Sequence, residues 1–401
     1  MRRTLLRAGL VLLVLGVGLV ITNWAAGRFL PAPSLLLRTD PDLIFAPIPG
    51  ARRLLVADDG EERTVATEID GRGYRGPVGA SGKHGLRVAV YGDSLVMAET
   101  TPLAETFVER LGAHLRVGGR SVEVVNAGVT GYGPDQECLR LEREFGDLAP
   151  DLVVLVLCAH NDFGDLVRNK LFRLDASGAL VANGWSLHPD VAADFAAKER
   201  AARRPALLRV LDGMRERKVE RERRAAAGGR KPPYVQWYLT ASADEHAEFV
   251  LEHDDRVRSL FADYYDADIA IRPGSPSAVF KTRLMEGVLA RFAEACRKRG
   301  APLLAVVVPS AVDLCPEFEI RVDRAEWPAW DPEALCRALD GILDRQGIPR
   351  LDLTEAFRAA DPCRLFGSSG DFHWSSAGQE LAARLTAESL ARRSFLQAAS
   401  K

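Results

Sequence analysis

The chain has 401 residues with a formal net charge of −2, and 47% of its residues are hydrophobic. A chain of this length can bury a large core and has room for two or three domains. The composition excludes a collagen, a small disulfide-held protein and a wholly disordered chain, and the lack of a basic excess argues against a dedicated nucleic-acid-binding protein.

Residues 1–30 contain one long apolar segment behind a basic N-terminus. Three arginines precede the segment, so the positive-inside rule predicts that this end stays in the cytoplasm and that the rest lies outside it. From Ala8 to Ala26 the segment forms a helix of roughly 28 Å, about the thickness of a bilayer core. We expect a single-pass anchor through residues 5–26. One alternative is a cleaved signal peptide, although Trp24 makes a cleavage site after Ala26 a poor one. The other is a buried helix of a soluble protein.

The sequence of residues 31–85 predicts a linker followed by strands and turns. We call this segment the preface. From residue 86 the pattern changes to strands that alternate with amphipathic helices. The predicted strands are 86–91, 122–125, 151–158, 302–308 and 350–353, and the predicted helices are 105–115, 134–148, 281–299, 332–346 and 377–392. This alternation predicts an α/β fold with a five-stranded parallel sheet covered by helices on both faces.

Residues 163–275 interrupt the alternation and are interpreted as an insertion between the core segments 86–162 and 276–395. The insertion contains the charge run Arg215–Lys231 and, after two prolines, an aromatic patch at Tyr234, Trp237 and Tyr238. We interpret the charge run as a solvated helix face rather than a surface for anionic lipid or polysaccharide. A lid over the pocket is the working hypothesis for the insertion.

Six cysteines could form up to three disulfides. Cys158 ends an apolar strand and is interpreted as a core thiol. Cys315, Cys336 and Cys363 lie in loop-rich or helix-edge sequence, where a disulfide outside the cytoplasm would fit. Buried free thiols are the alternative. The cysteine and histidine spacing matches no zinc site.

Chemically useful groups follow the predicted strands. Ser94 lies where the first strand turns into a helix, Gly128 follows the second strand and Asn161 follows the third. Because the carboxyl ends of parallel strands meet at one edge of a sheet, we expect these residues to lie close together. The backbone N–H groups of Ser94 and Gly128 and the Asn161 amide could then form an oxyanion hole.

A serine nucleophile needs a base, and the base needs an orienting acid. His373 is the candidate base, since it stands just before the last predicted helix. Asp371, two residues earlier, can reach the other imidazole nitrogen and set its tautomer. The sequence therefore predicts a Ser-His-Asp triad at one end of the sheet.

Four sequence blocks resemble those of the SGNH (GDSL-type) hydrolases: Gly92-Asp93-Ser94-Leu95, Asn126-Ala127-Gly128, Asn161-Asp162 and Asp371-x-His373. The run Gly73-Tyr74-Arg75-Gly76 is similar to a bacterial subgroup with an N-terminal membrane anchor. The resemblance covers residues 70–162 and 278–392. It implies a three-layer α/β/α sandwich with a flavodoxin-like sheet, Ser94 as nucleophile, the same triad and oxyanion hole, and no metal or cofactor.

Two positions depart from the family pattern. Ala159 stands where the third block has glycine, and Gly370 stands where the acid is usual, three residues before the histidine. Asp371 instead resembles the Asp-x-His-Trp arrangement of the alginate-acetylation proteins, which raises the prospect of acyl transfer to a sugar. Asp361 is a weaker substitute for the acid.

Three further residues are possible pocket residues. His160 adjoins Asn161 and either lines the pocket or is a satisfied loop histidine. Tyr132 either stacks on substrate or packs in the core or rim. Asp93 is expected to organise its turn through hydrogen bonds rather than to react.

The sequence thus predicts a membrane-anchored serine esterase with its catalytic domain in the periplasm or at the cell surface. Its substrates would be carboxylic esters, such as acyl or acetyl groups on a cell-envelope glycan or lipid. One alternative is an O-acyltransferase with the same triad, supplied by a membrane acyl-donor partner. A glycan-binding scaffold with a disabled site is the other.

Overall fold

The computed structural model describes residues 2–30, 34–58, 62–76, 85–116, 121–226, 255–261, 267–315, 325, 327–331, 333–367, 373–393 and 395. Its helices are α1 (Arg2–Phe29), α2 (Ser94–Met97), α3 (Phe107–Leu115), α4 (Pro134–Leu148), α5 (Asp162–Asn169), α6 (Pro189–Ala202), α7 (Ala206–Ala226), α8 (Ala267–Ile271), α9 (Pro276–Lys298), α10 (Ala311–Leu314), α11 (Ala334–Arg345), α12 (Thr354–Ala359) and α13 (Ser376–Arg392). Its strands are β1 (Leu37–Asp40), β2 (Ile44–Pro47), β3 (Arg52–Asp58), β4 (Glu62–Glu68), β5 (Leu86–Tyr91), β6 (Val122–Asn126), β7 (Leu152–Cys158), β8 (Phe172–Leu174), β9 (Leu180–Ala182), β10 (Ser186–Leu187), β11 (Arg256–Val257), β12 (Leu303–Val308) and β13 (Arg350–Asp352).

The central sheet has five parallel strands in the order β13-β12-β7-β5-β6. On β5, Val90 pairs with Asn126 of β6 and with Val154 of β7, which sets the relative height of the three strand ends. β7 lies in the middle of the sheet, where helices cover both faces and its apolar side chains are buried on each side. The predicted flavodoxin-like parallel sheet is therefore confirmed.

Helices cover both faces of this sheet. Successive side chains of a strand point to opposite faces, so on β5 Val88 and Val90 enter one core cluster while Ala89 and Tyr91 enter the other. α3 packs on α13 over the first cluster, and α4 packs on α9 over the second. The arrangement is the predicted three-layer α/β/α sandwich.

Capping residues set helix starts that periodicity alone misplaced. α3 begins at Phe107 because the Thr106 hydroxyl accepts a hydrogen bond from the Glu109 N–H (3.4 Å), and Leu103–Glu105 form a separate 3₁₀ turn. α9 begins five residues earlier than predicted. There the Ser275 hydroxyl accepts from the Ala278 N–H (3.2 Å), and Pro276 occupies the first helical position, which it suits.

The preface forms two antiparallel pairs, β1 with β2 and β3 with β4. β2 contributes Phe45 to the core beneath α4, where its side chain is fully buried. Thr67 on β4 is also buried, and its hydroxyl donates a hydrogen bond to the Glu99 carbonyl (2.8 Å) just after α2. The preface is thus packed against the end of the sheet that carries Ser94.

The insertion contains α6, α7, the antiparallel pair β8–β9 and the short parallel pair β10–β11. α7 includes the first part of the predicted charge run. The rest of that run and the aromatic patch at Tyr234, Trp237 and Tyr238 lie outside the described residues.

α1 is long and apolar enough to cross a membrane. Within Arg3–Phe29 the most apolar 18 residues have a mean hydropathy of 2.4, and none of them is buried against the rest of the protein. A retained anchor and a signal sequence both have this character. The single apolar N-terminal helix of the prediction is therefore present.

One disulfide joins Cys315 to Cys363, two of the three cysteines at which the sequence favours a bridge. The third, Cys336, is a buried free thiol, as are Cys138 and Cys296. The disulfide attaches α10 to the 3₁₀ turn Pro362–Arg364, which precedes the segment that carries His373.

Candidate active site

Ser94 is the first residue of α2, immediately after the turn that ends β5. The Asp93 carboxylate caps this helix by accepting a hydrogen bond from the Leu95 N–H at 2.8 Å. The turn is tight: a Cβ at Gly92 would lie 2.4 Å from Cγ2 of Val96, so only glycine fits there. The local sequence therefore places the partly buried Ser94 at the carboxyl edge of the sheet.

The second block packs closely against α2. The Asn126 side-chain amide donates to the Val96 carbonyl (2.8 Å), and its oxygen accepts from the Gly128 N–H (3.0 Å). A Cβ at Gly128 would lie 2.6 Å from the Met97 nitrogen. Glycine is thus needed for close approach. Its N–H, expected in the oxyanion hole, is here bonded within the protein, because an Asn side chain readily bonds the backbone two residues on.

Asn161 connects the third block to the first. Its Nδ2 donates to Oδ2 of Asp93 at 3.0 Å, which uses one of the two N–H bonds of the amide. Its Oδ1 is buried and has no hydrogen-bond partner among the described residues. The two oxygens of Asp93 therefore hold the start of α2 and the Asn161 amide in one arrangement.

His373 lies in the segment before α13 and is partly buried. Its carbonyl accepts a hydrogen bond from the Gly367 N–H (3.0 Å), and the next residue, Trp374, pairs with Phe366 in an antiparallel bridge. These two contacts attach the backbone at His373 and Trp374 to residues 366 and 367. Asp371 lies outside the described residues, so its contact with His373 stays a prediction.

The charges of Asp93 and His373 interact. Burial raises the pKa of the Asp93 carboxyl, whereas the hydrogen bonds from Asn161 and Leu95 and the positive charge of His373 lower it, and the net shift is upward. The fold therefore brings the first, third and fourth blocks together at one edge of the sheet. This arrangement can bind and polarise an ester carbonyl beside a serine hydroxyl.

Arg75 supports the helix that Ser94 opens, a role that sequence reasoning did not assign. Its buried guanidinium donates to the carbonyls of Met97 and Ala98 and, at 2.7 Å, to that of Thr101. Burial lowers the pKa of Arg75 to about 10, so the side chain is still charged at neutral pH. A cation at this end of α2 complements the helix dipole and satisfies its last carbonyls.

A buried polar network supports the loop that follows β6. Arg168 pairs with Asp165 at 2.6 Å and donates to the Gly131 carbonyl at 2.5 Å. Asn169 donates to Oδ1 of Asp135 at 2.8 Å. Burial raises the pKa of Asp135 to about 7. The network joins α4 to α5, and the sequence contained no signal for it beyond the presence of the residues.

The structure places two of the possible pocket residues among internal contacts. Tyr132 is fully buried, and its hydroxyl donates to the Phe45 carbonyl at 2.7 Å, which matches the alternative of core packing. Nε2 of His160 lies 3.2 Å from Oδ1 of Asp313, whose other oxygen accepts from the Ser310 N–H at 3.1 Å. His160 is thus a partnered loop histidine, and sequence reasoning did not identify Asp313 as its partner.

Residues 276–401 match the family described as "SGNH hydrolase-like domain, acetyltransferase AlgX". This match confirms the predicted resemblance to the SGNH superfamily. The matched range includes His373, whereas Ser94 and Asn161 lie before it.

Solved structures similar to this chain include TesA (14% identity, 76% of this chain and 97% of that chain covered, TM-score 0.36). A lipase/acylhydrolase from Enterococcus faecalis shares 13% identity over 77% of this chain and 96% of its own, with a TM-score of 0.37. An acetyl-xylooligosaccharide esterase from Geobacillus shares 11% identity over 76% and 94%, with a TM-score of 0.36. No sequence among the curated proteins matches this chain.

Proposed function

We propose that this protein is a serine esterase of the SGNH type that hydrolyses carboxylic esters through Ser94. The proposal is supported by the 3.0 Å hydrogen bond from Asn161 to Asp93 beside Ser94, together with the electrostatic interaction between His373 and Asp93. These residues come from three blocks that are far apart in the sequence. The family match of residues 276–401 supports the same class of enzyme.

In the proposed mechanism His373 accepts the proton of the Ser94 hydroxyl while Oγ attacks the ester carbonyl carbon. The Ser94 N–H and the second N–H of Asn161 stabilise the negative oxygen of the tetrahedral intermediate. The ester C–O bond then breaks, and the alcohol leaves with the proton from His373. Water attacks the acyl-enzyme in the same way and releases the carboxylic acid. Asp371 is proposed to orient His373.

We propose acyl or acetyl esters of a cell-envelope glycan or lipid as substrates, met outside the cytoplasm by a domain anchored through α1. The Cys315–Cys363 disulfide supports this location, because disulfides persist in oxidising compartments and are rare in the cytosol. The apolar, exposed α1 supports the anchor.

The test is hydrolysis of p-nitrophenyl acetate by the full chain. We expect Ser94→Ala and His373→Ala each to lower kcat by at least ~10³-fold, because each removes a member of the triad. Ser177→Ala is the matched control, since Ser177 is exposed in the turn between β8 and β9. Normal turnover in both active-site variants, with unchanged unfolding midpoints, would reject the triad.

An O-acyltransferase is the second candidate, favoured by the acetyltransferase named in the matching family. The same acyl-enzyme would then be resolved by a sugar hydroxyl instead of water. Adding an oligosaccharide to the esterase assay separates the two. Acyl transfer to the sugar that outruns acid release identifies a transferase, whereas acid release alone identifies an esterase. Lack of turnover with every ester would leave the glycan-binding scaffold.

A further inference from the structure

The first half of α7 has an apolar side that is exposed in the described part of the protein. Leu208, Leu211 and Met214 are 41%, 47% and 55% exposed. They are spaced three residues apart, so they form a strip on one side of the helix. Arg215 and Lys218 lie beside this strip and are also exposed. We call the three apolar residues the α7 strip.

α7 is attached to the end of α1. Ala206 and Val210 are buried and form a small cluster with Ala26, separate from the two clusters that flank the sheet. The Leu207 N–H donates to Oδ1 of Asn23 at 3.2 Å. Residues 3–22 of α1 are exposed, so burial is confined to its last turns. α7 therefore meets α1 at the point where the apolar helix ends.

This junction fixes the height of α7 relative to a bilayer. If α1 crosses the membrane, its last turns around Trp24 lie at the interface, where indole rings are favoured. The start of α7 is held at the same level by its contacts with Asn23 and Ala26. The exposed apolar surface of α1 and the α7 strip then form neighbouring parts of one lipid-facing surface.

We propose that the first half of α7 lies in the headgroup region of an anionic bilayer, beside the end of the anchor. The α7 strip enters the upper acyl-chain region, and Arg215 and Lys218 extend their charged ends to lipid phosphates, as long basic side chains do at interfaces. The proposal concerns membrane contact and does not depend on the chemistry of Ser94.

This contact would limit rotation of the domain above the membrane. The end of α1 is also bound to the preface, where Arg52 donates to the Arg28 carbonyl at 2.7 Å and pairs with Glu68 at 2.8 Å. A helix lying on the bilayer beside this attachment adds a second point of support. The catalytic domain is then held at a set height and tilt.

The test uses the full chain in vesicles of phosphatidylcholine and phosphatidylglycerol that carry headgroup-level spin-labelled lipid. The environment-sensitive fluorophore NBD is attached to Leu211→Cys or, as the matched control, to Val279→Cys. Val279 is 37% exposed on α9 of the catalytic domain. Labelling of the native cysteines is measured on the parent chain, which lacks the introduced cysteine. Circular dichroism verifies that each variant is folded.

We expect spin-labelled lipid to quench NBD at position 211 at least threefold more than NBD at position 279. Adding Leu208→Asn and Met214→Asn to the labelled 211 variant should reduce the quenching to the level of the control. Equal quenching at 211 and 279 overturns the proposal. So does a blue-shifted but unquenched signal at 211, because it would mean that another part of the chain or a second copy covers the α7 strip.

Discussion

Asp93 organises the site while another residue is proposed to react. One oxygen accepts from the Leu95 N–H and the other from Asn161, so a single carboxylate joins the nucleophile turn to the proposed oxyanion donor. A charge-assisted bond of this kind orients an amide more strongly than a neutral one does. Asp93 is therefore a positioning residue for Asn161.

Asp93→Asn should lower kcat for p-nitrophenyl acetate by about 10- to 100-fold, with a smaller change in KM. The substitution removes the negative charge that orients Asn161, and a hydrogen bond to a charged group contributes ~1.5–3 kcal/mol. Steady-state kinetics measure the effect, and the exposed Asp42→Asn is the control. A kcat within twofold of the parent would contradict a positioning role.

Asp135 should make stability depend on pH. Burial raises its pKa from 3.8 to about 7, so between these values the folded protein holds a proton that the unfolded chain has lost. Its contribution to the free energy of unfolding is thus fully present at low pH and declines as pH rises toward 7. The decline amounts to up to ~4 kcal/mol.

Asp135→Asn should remove this decline, because the amide resembles the protonated acid. Urea unfolding of both proteins at several pH values between 4 and 8 measures the slopes. Asp147→Asn is the matched control, since Asp147 is an exposed carboxyl on the same helix. Parallel stability curves for the parent and Asp135→Asn would refute the argument.

At the scale of elements, the short helix α2 depends on its neighbours. Four residues cannot form a stable helix alone, since nucleation is costly. α2 is held by the Asp93 cap at its start, by Asn126 on Val96, and by Arg75 on its last carbonyls. The position of Ser94 therefore depends on the turn before α2, on the end of β6 and on the preface.

Replacing Arg75 tests this support. Arg75→Met leaves buried carbonyls without a donor and should lower the free energy of unfolding by ~2–5 kcal/mol and kcat by at least ~10-fold. Arg75→Lys keeps the charge but not the planar fork, so it should recover part of kcat. Denaturant unfolding and steady-state kinetics are the measurements.

The neighbouring arginine is the control for this pair. Arg72 is a third exposed and pairs with Asp70, so Arg72→Met should change stability by at most ~1 kcal/mol. If Arg75→Met behaves like Arg72→Met, α2 does not need its buried cation.

At the scale of the whole molecule, a chain of contacts leads from the end of α1 to Glu99, just after α2. Arg28 is bound by Arg52 on β3, and β3 pairs with β4 along its length. On β4, Thr67 donates to the Glu99 carbonyl, and the Glu99 carboxylate accepts from Thr130 at 2.7 Å. The preface therefore links the candidate anchor to the edge of the sheet that carries Ser94.

The Cys315–Cys363 disulfide should stabilise the attachment of α10 to the 3₁₀ turn Pro362–Arg364. It closes a separation of 48 residues, for which constraint of the unfolded chain is worth about 4 kcal/mol in the chain-entropy estimate. A reductant should therefore lower the unfolding midpoint of the parent. It should not lower that of the Cys315→Ser/Cys363→Ser double variant, which should already unfold at the reduced midpoint. Equal midpoints for oxidised parent and double variant would contradict this.

The sequence by itself determined the sheet, the helices and the positions of Ser94, Asn161 and His373 at or near strand and helix ends. Those features follow from local periodicity and from the rule that parallel strands end at one edge. They need only residues that are near one another in the chain. Apolar periodicity alone does not locate the helix starts at Phe107 and Pro276, because these are set by the caps Thr106 and Ser275.

Only the tertiary structure decided which polar groups meet. The bonds of Asp93 with Asn161, of Arg75 with α2, and of His160 with Asp313 each join elements that are separate in the chain. The same holds for the packing of α7 on the end of α1. These contacts depend on how strands register and helices pack, because buried polar groups must take whichever partners the packed layers bring within reach.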